Sequence, residues 1–219
     1  MGKRPGPAEA PKAVAPTGKL TPSTKDMDWR LYLCGLIAAD GHLDCRGEIT
    51  LAQKRRDFID TIATIMKTNG IDIASIFYDR KAGVWKLKTR DKDFYRYLIN
   101  NGLKCGRKSS EINPPAVEPT AGLPYVIGFI DGDGWVEQIT KKYRSRTYTY
   151  LRVGLKTKSK ALRDWIAEVL KANGIRANTA DKKDGYEIHI DTIEAWTVAK
   201  MLLNPTHHER LKQIRDSRL

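Results

Sequence analysis

One heptad occurs twice in this chain, as Gly35-Leu36-Ile37-Ala38-Ala39-Asp40-Gly41 and as Gly128-Phe129-Ile130-Asp131-Gly132-Asp133-Gly134, 93 positions apart. Further matches run at an offset of 104: Asn69-Gly70-Ile71 with Asn173-Gly174-Ile175, and Leu98-Ile99-Asn100 with Leu202-Leu203-Asn204. The change of offset implies about 11 extra residues in the second half, between Val136 and Tyr150, where a longer hairpin would carry Lys141, Lys142, Arg144 and Arg146. A duplicated unit constrains the fold strongly, because two similar halves must then share one architecture and pack on each other.

Each half reads as helix, two strands, helix, two strands, helix. Residues 28 to 39 are apolar and open after Asp26 and Asp28, which suit N-terminal caps. Residues 57 to 69 carry Phe58, Ile62, Ile65 and Met66 at helical spacing and stop at Asn69-Gly70. Residues 122 to 132 and 159 to 173 repeat both signals, the latter with Leu162, Ile166, Val169 and Leu170 on one face. Alternation is plain in Arg146 to Lys156: Thr147, Thr149, Leu151, Val153 and Leu155 define a core face, against Arg146, Tyr148, Tyr150, Arg152 and Lys156 on the other. In the first half Lys86, Lys88 and Arg90 share such an outer face, whereas Glu187, His189 and Asp191 hold the comparable face in the second. The expected class is α+β, two pseudosymmetric αββαββα halves over residues 26–103 and 122–219, joined by a proline-bearing linker at 104–121.

The chain has 219 residues, 41% of them hydrophobic, enough for a buried core. With 39 Lys+Arg against 26 Asp+Glu its net charge is +13, which suits a polyanionic partner and makes nucleic acid the first suspect. Cys34, Cys45 and Cys105 are odd in number and lack Cys-x-x-Cys spacing, so neither a disulfide framework nor a zinc ribbon is expected, and a reducing, intracellular setting fits. No apolar run approaches the ~20 residues of a membrane span, and the N-terminus lacks a signal-peptide core, so no membrane partner is expected. Residues 1–25 hold five prolines among Ala, Lys and Gly and read as a flexible basic tail.

The repeated heptad itself carries chemistry. Gly35, Ala38 and Ala39 on one helix and Gly128 and Gly132 on the other leave almost no side-chain bulk, so two backbones can approach closely. Gly35, Ala38, Gly128 and Asp131 then form the helix interface, and Asp40 and Asp133 arrive together where Gly41 and Gly134 let the chain turn into the next strand. Two carboxylates near helix-terminal carbonyls, those of Ala39 and Gly132, make a hard oxygen site suited to Mg²⁺. A metal there could neutralise phosphate charge and activate water, which is the chemistry of phosphodiester hydrolysis. Asp131 has Ala38 as its counterpart, so the paired acids are Asp40 and Asp133.

The strings Leu33 to Gly41 and Val126 to Gly134 resemble the nine-residue signature of LAGLIDADG homing endonucleases in their single-chain, two-motif form. The departures, Cys34, Ala38 and Gly132, are all small. The resemblance implies saddle-shaped antiparallel sheets laid along the DNA major groove, a monomer, and cleavage of both strands with short 3′ overhangs. It also implies Mg²⁺ as cofactor, with Mn²⁺ able to substitute and Ca²⁺ binding without efficient cleavage. Family sites often carry Gln or Lys after the second strand; Gln53-Lys54 fit that place, and Thr157 and Lys158 are their partners at the 104 offset. Lys54 and Lys158 would orient water or offset transition-state charge.

The implied target is double-stranded DNA, a pseudo-palindromic site of roughly 20 base pairs, since a ten-residue strand spans about one turn of B-DNA. Its contacts would come from Lys86, Lys88, Arg90, Lys141, Lys142, Arg144, Arg146, Tyr148, Tyr150, Arg152, Lys156 and His189. Two alternatives share this fold: a maturase binding its host intron RNA, and a DNA-binding protein without cleavage. His207-His208 lacks further ligands at metal spacing and reads as a solvated helix start, while Trp165 and Trp196 read as core.

Overall fold

The computed structural model describes residues 27–106 and 112–216, so the tail expected at 1–25 and part of the linker lie outside the described residues. The first half runs α1 (Trp29–Asp40), β1 (Gly41–Leu43), β2 (Ile49–Gln53), α2 (Arg56–Thr68), β3 (Ser75–Asp79), β4 (Val84–Thr89) and α3 (Lys92–Asn100). After a 3-10 turn at Pro119–Ala121 the second half runs α4 (Leu123–Asp133), β5 (Trp135–Tyr143), β6 (Arg146–Thr157), α5 (Lys160–Ala172), β7 (Ala177–Lys182), β8 (Gly185–Asp191), α6 (Thr192–Ala199) and α7 (Pro205–Asp216).

Each half holds one four-stranded antiparallel sheet, ordered β1-β2-β4-β3 in the first and β5-β6-β8-β7 in the second, so the duplication read from sequence is a duplication of topology. Registers agree residue by residue: Gln53 faces Trp85 across β2 and β4 as Thr157 faces Tyr186 across β6 and β8.

Helix α1 is capped by Asp28, whose carboxylate accepts from the Leu31 N–H at 3.0 Å. All residues from Leu31 to Ala38 are buried, and α4 is buried likewise from Tyr125 to Asp131. Helices apolar all round belong in the middle of a molecule. Here α1 and α4 pack on each other between the two halves, while the amphipathic α2 and α5 bury Phe58, Ile62, Met66 and Leu162, Ile166, Val169 at the flanks.

Four expectations are corrected. The second half ends in two helices, because α6 stops at Ala199 and Pro205, with no N–H to donate, opens a further helix. That helix buries His207, whose Nε2 lies 3.1 Å from the Ile130 carbonyl oxygen, so of the His pair only His208 is solvated. Thr147 and Thr149 are exposed rather than core, since β6 is paired with β8 only from Arg152 to Thr157 and its earlier residues extend past the sheet. Finally, Cys45 and Cys105 form a disulfide, with Cα atoms 5.0 Å apart. Sequence spacing hid this pairing because it joins the β1–β2 turn to the segment after α3, 60 positions on; Cys34 is buried and outside the disulfide.

Candidate functional site

The site is set by how closely α1 and α4 approach. A Cβ on Gly35 would stand 1.9 Å from the Tyr125 carbonyl oxygen, and one on Gly128 would stand 2.0 Å from that of Tyr32. These are reciprocal positions of the repeat, so the helices cross on a pseudo-twofold axis through two glycines. At the C-terminal ends, a Cβ on Gly132 would lie 2.5 Å from the Ala39 Cβ and 3.5 Å from the Asp40 backbone nitrogen. The last turns, which carry Asp40 and Asp133, are therefore side by side. Gly41 and Gly134 have φ of −84° and −92°, so no left-handed turn is involved; a Cβ there would collide with Ile37 and Ile130 of the preceding turn.

The two acids stand in different surroundings. Asp40 is partly buried and accepts from Gln53 Nε2 at 2.5 Å, a bond that holds the carboxylate against the end of β2. Asp133 opens onto a cavity of about 280 Å³ lined also by Ala38, Ala39, Phe129, Lys156 and Lys158. Among the described residues no hydrogen bond reaches the Asp133 carboxylate. Removal of water by the cavity wall raises its pKa, and the positive charge of Lys156 pulls it back down.

Lys156, expected as a DNA contact, lines this cavity, and its Nζ binds Asp184 at 2.7 Å. Thr157, the counterpart of Gln53, is buried and accepts from the Ser159 N–H at 3.2 Å, just before α5. Lys158 is exposed at the cavity rim, and Lys54 is exposed with no ion pair among the described residues. The two halves thus support their acids by different chemistry.

This donor set fits a hard cation. No group of three or more His, Cys, Asp or Glu side chains that could hold a metal occurs among the described residues. Mg²⁺ instead keeps several waters and takes one or two carboxylates. Asp40 and Asp133 would be those carboxylates, helped by last-turn carbonyls of α1 and α4 that have no intrahelical donor. An acid without a donor, its charge disfavoured by burial, is the group that a bound cation stabilises.

Around the acids, the sheet cations are largely engaged. Lys86 Nζ binds Asp79 at 2.6 Å, Lys88 Nζ and Arg90 Nη2 bind Glu48 at 2.5 and 2.8 Å, and Arg152 Nε binds Asp191 at 2.7 Å. His189 lies edge-on to Trp135, with Nε2 3.2 Å from Glu187. Glu48, Asp79 and Asp184 were missed as partners; hairpin pairing places Asp79 opposite Val84, next to Lys86, and was the signal that could have found it. By contrast Lys141, Lys142, Arg144 and Arg146 on the β5–β6 hairpin are exposed and without ion pairs among the described residues. Lys141 Nζ sits 5.8 Å from the Tyr150 ring centroid and the Arg144 guanidinium 5.4 Å from that of Tyr143, with Tyr148 exposed nearby.

Residues 123–202 match the family model of the LAGLIDADG-like domain. No curated protein matches the chain in sequence. Among solved structures, a variant of the homing endonuclease I-DmoI in complex with its target DNA and manganese is similar at 17% identity and TM-score 0.54, over 80% of this chain and 93% of that one. I-WcaI bound to its DNA recognition sequence is similar at 13% identity and TM-score 0.52, over 87% and 90%. Full-length DUF199/WhiA from Thermatoga maritima is similar at 14% identity and TM-score 0.52, over 91% of this chain but 64% of that one, so the chain spans less than two thirds of that protein's length. Residues 123–202 thus match a LAGLIDADG-like domain, and the chain as a whole has the two-half fold of these LAGLIDADG structures.

Proposed function

We propose that the protein is a sequence-specific homing endonuclease that hydrolyses both strands of a long duplex site with a divalent metal, Mg²⁺ or Mn²⁺. The observation that carries this reading is the side-by-side ending of α1 and α4, whose last turns hold Asp40 and Asp133, with Asp133 on a cavity that Lys156 and Lys158 border. I-DmoI and I-WcaI, homing endonucleases seen with DNA, share the fold, and the I-DmoI crystals held manganese.

When bound, the metal would supply Lewis-acid stabilisation of a phosphoryl oxygen and a lowered pKa for water. The chain's own residues do the rest. Gln53 fixes the orientation of the Asp40 carboxylate, Lys156 and Lys158 set positive charge where phosphate charge develops, and the cavity beside Asp133 leaves room for a water. The cationic hairpin and the outer faces of the sheets hold the duplex.

A second reading, a DNA-binding protein that does not cleave, draws on the asymmetry: Thr157 is buried as a backbone acceptor where the other half has Gln53. One assay decides. A randomised duplex library incubated with the protein and Mg²⁺ should yield double-strand cuts at a recurring site, with Ca²⁺ giving binding alone. Asp40→Asn or Asp133→Asn should each slow cutting by about 10²–10³-fold, the scale for loss of one positioned electrostatic group. Equal cutting by both variants would show that the acids are misassigned, and binding without any cutting would establish the second reading.

A further inference from the structure

The basic residues facing outward from the second half fall into two physical kinds. Strand β6 is twelve residues long and pairs with β5 from Arg146 to Gly154, but with β8 only from Arg152 onward. The exposed stretch from Thr140 to Thr149 therefore projects past the sheet as a two-stranded arm, beyond the buried Leu151. It contains four cations, Lys141, Lys142, Arg144 and Arg146, and no Asp or Glu at all. The turn residue Arg144 holds a left-handed φ of 53°, which puts a long cationic side chain where a hairpin of this kind ordinarily has Asn or Gly.

Arg152 is the first residue of β6 backed by β8, and it is held in place. Its Nε and Nη2 bind the two oxygens of Asp191 at 2.7 and 3.1 Å, and the Tyr150 hydroxyl lies 3.5 Å from Nη2. The side chain is 16% exposed. Nη1 has no partner among the described residues, yet it is not one of the buried unpaired atoms. A guanidinium clamped along its Nε–Nη2 edge keeps both Nη1 protons and an outer Nη2 proton held only by the long 3.5 Å contact to the Tyr150 hydroxyl, and these form the fork that matches O6 and N7 of guanine.

Unpaired surface cations bind phosphates and release counterions, which gives affinity and salt dependence without sequence information. A charge already neutralised by a fixed carboxylate contributes little to that term, and a locked fork discriminates well because its geometry is set before contact. We propose that the β5–β6 arm supplies the salt-dependent grip on the DNA backbone, and that Arg152, positioned by Asp191, reads a guanine in the half-site under the second sheet. This rests on the proposed DNA-binding function and divides its labour.

The test uses the full chain and a duplex that the wild-type protein selects from a randomised pool, with affinity measured across a salt series. Replacing Lys141, Lys142, Arg144 and Arg146 together by Ala should lower the slope of log K against log salt by about 3 to 4, near 0.9 per lost phosphate contact. Neutralising a whole ion pair, Lys86→Met with Asp79→Asn, should leave that slope within about 1. Arg152→Lys keeps the charge but not the fork; it should leave the slope and weaken preference at one guanine by about ten- to a hundred-fold, with Asp191→Asn acting in the same direction. Thermal midpoints near wild type would show that the variants are folded. An unchanged slope in the arm variant, or unchanged selectivity in Arg152→Lys, overturns this division of roles. A wild type that binds no duplex at any salt overturns the functional reading beneath it.

Discussion

Tyr32 and Tyr125 occupy the same place in the two copies of the repeat, and both are fully buried, but only one is satisfied. The Tyr32 hydroxyl donates to Asp131 at 2.8 Å, whereas the Tyr125 hydroxyl has no partner among the described residues. The reason is one residue: the counterpart of Asp131 in the first copy is Ala38. Asp131 also accepts from the N–H groups of Leu203 and Asn204 at 2.8 and 3.0 Å, and burial still pushes its pKa up to about 6 against those bonds. Removing the Tyr32 hydroxyl leaves a buried carboxylate short of a donor, so Tyr32→Phe should destabilise the fold by about 1–3 kcal/mol. Tyr125→Phe removes an unpaired group and should be neutral or stabilising by about 1 kcal/mol. Urea midpoints of the two variants measure the contrast; matching losses would mean that the Tyr125 hydroxyl is bonded after all. Small-residue spacing put Asp131 at the helix interface, but not its partners 72 and 73 positions away.

For the elements, the decisive contact is α1 against α4. Gly→Ala in a helix interior ordinarily stabilises by up to about 1 kcal/mol. At Gly35 or Gly128 the added carbon would meet a carbonyl oxygen of the opposing helix at 2 Å or less, so the helices must part. Gly35→Ala and Gly128→Ala should therefore each cost about 2–3 kcal/mol net, read as a fall in thermal midpoint, and should displace the acids at the helix ends enough to impair cleavage. A rise in midpoint would mean that the pair is loosely packed. This element was legible in the sequence, since its small residues recur at helical spacing in both copies. The arm was legible too, from the change of offset and its Lys141, Lys142, Arg144 and Arg146. The ion pairs on the sheets were not, because strand register decides which carboxylate a given lysine meets.

On the scale of the whole molecule the two halves are alike in topology and unlike in reinforcement. The Cys45–Cys105 disulfide spans 60 positions of the first half and ties the β1–β2 turn to the chain leaving α3, where the Gly106 N–H also donates to the Leu43 carbonyl at 2.9 Å. The second half has no such bond and instead folds back α7, buried through His207 and Ile214. Loop-closure entropy for a ring of that size is worth about 4 kcal/mol. Replacing Cys45 and Cys105 together by Ser should lower stability by up to that amount, and wild type in reductant should fall to the same urea midpoint. Insensitivity of the wild type to reductant would show that the bond adds nothing. No helix among the described residues is long and apolar enough to cross a membrane.

What the amino-acid order determined by itself is local and periodic: twin buried helices, two acids at their ends, strands of alternating character, and an acid-free basic hairpin. Such features follow from neighbours within one or two turns, which residue type and spacing specify. What only the tertiary structure decided is which distant groups meet. Arg152 is paired with Asp191, Asp131 is anchored by Leu203 and Asn204, Cys45 finds Cys105, and among the described residues Asp133 keeps no donor while Asp40 takes Gln53. Those outcomes depend on register and on the crossing of α1 with α4, and they give the acids of two similar motifs chemically different surroundings.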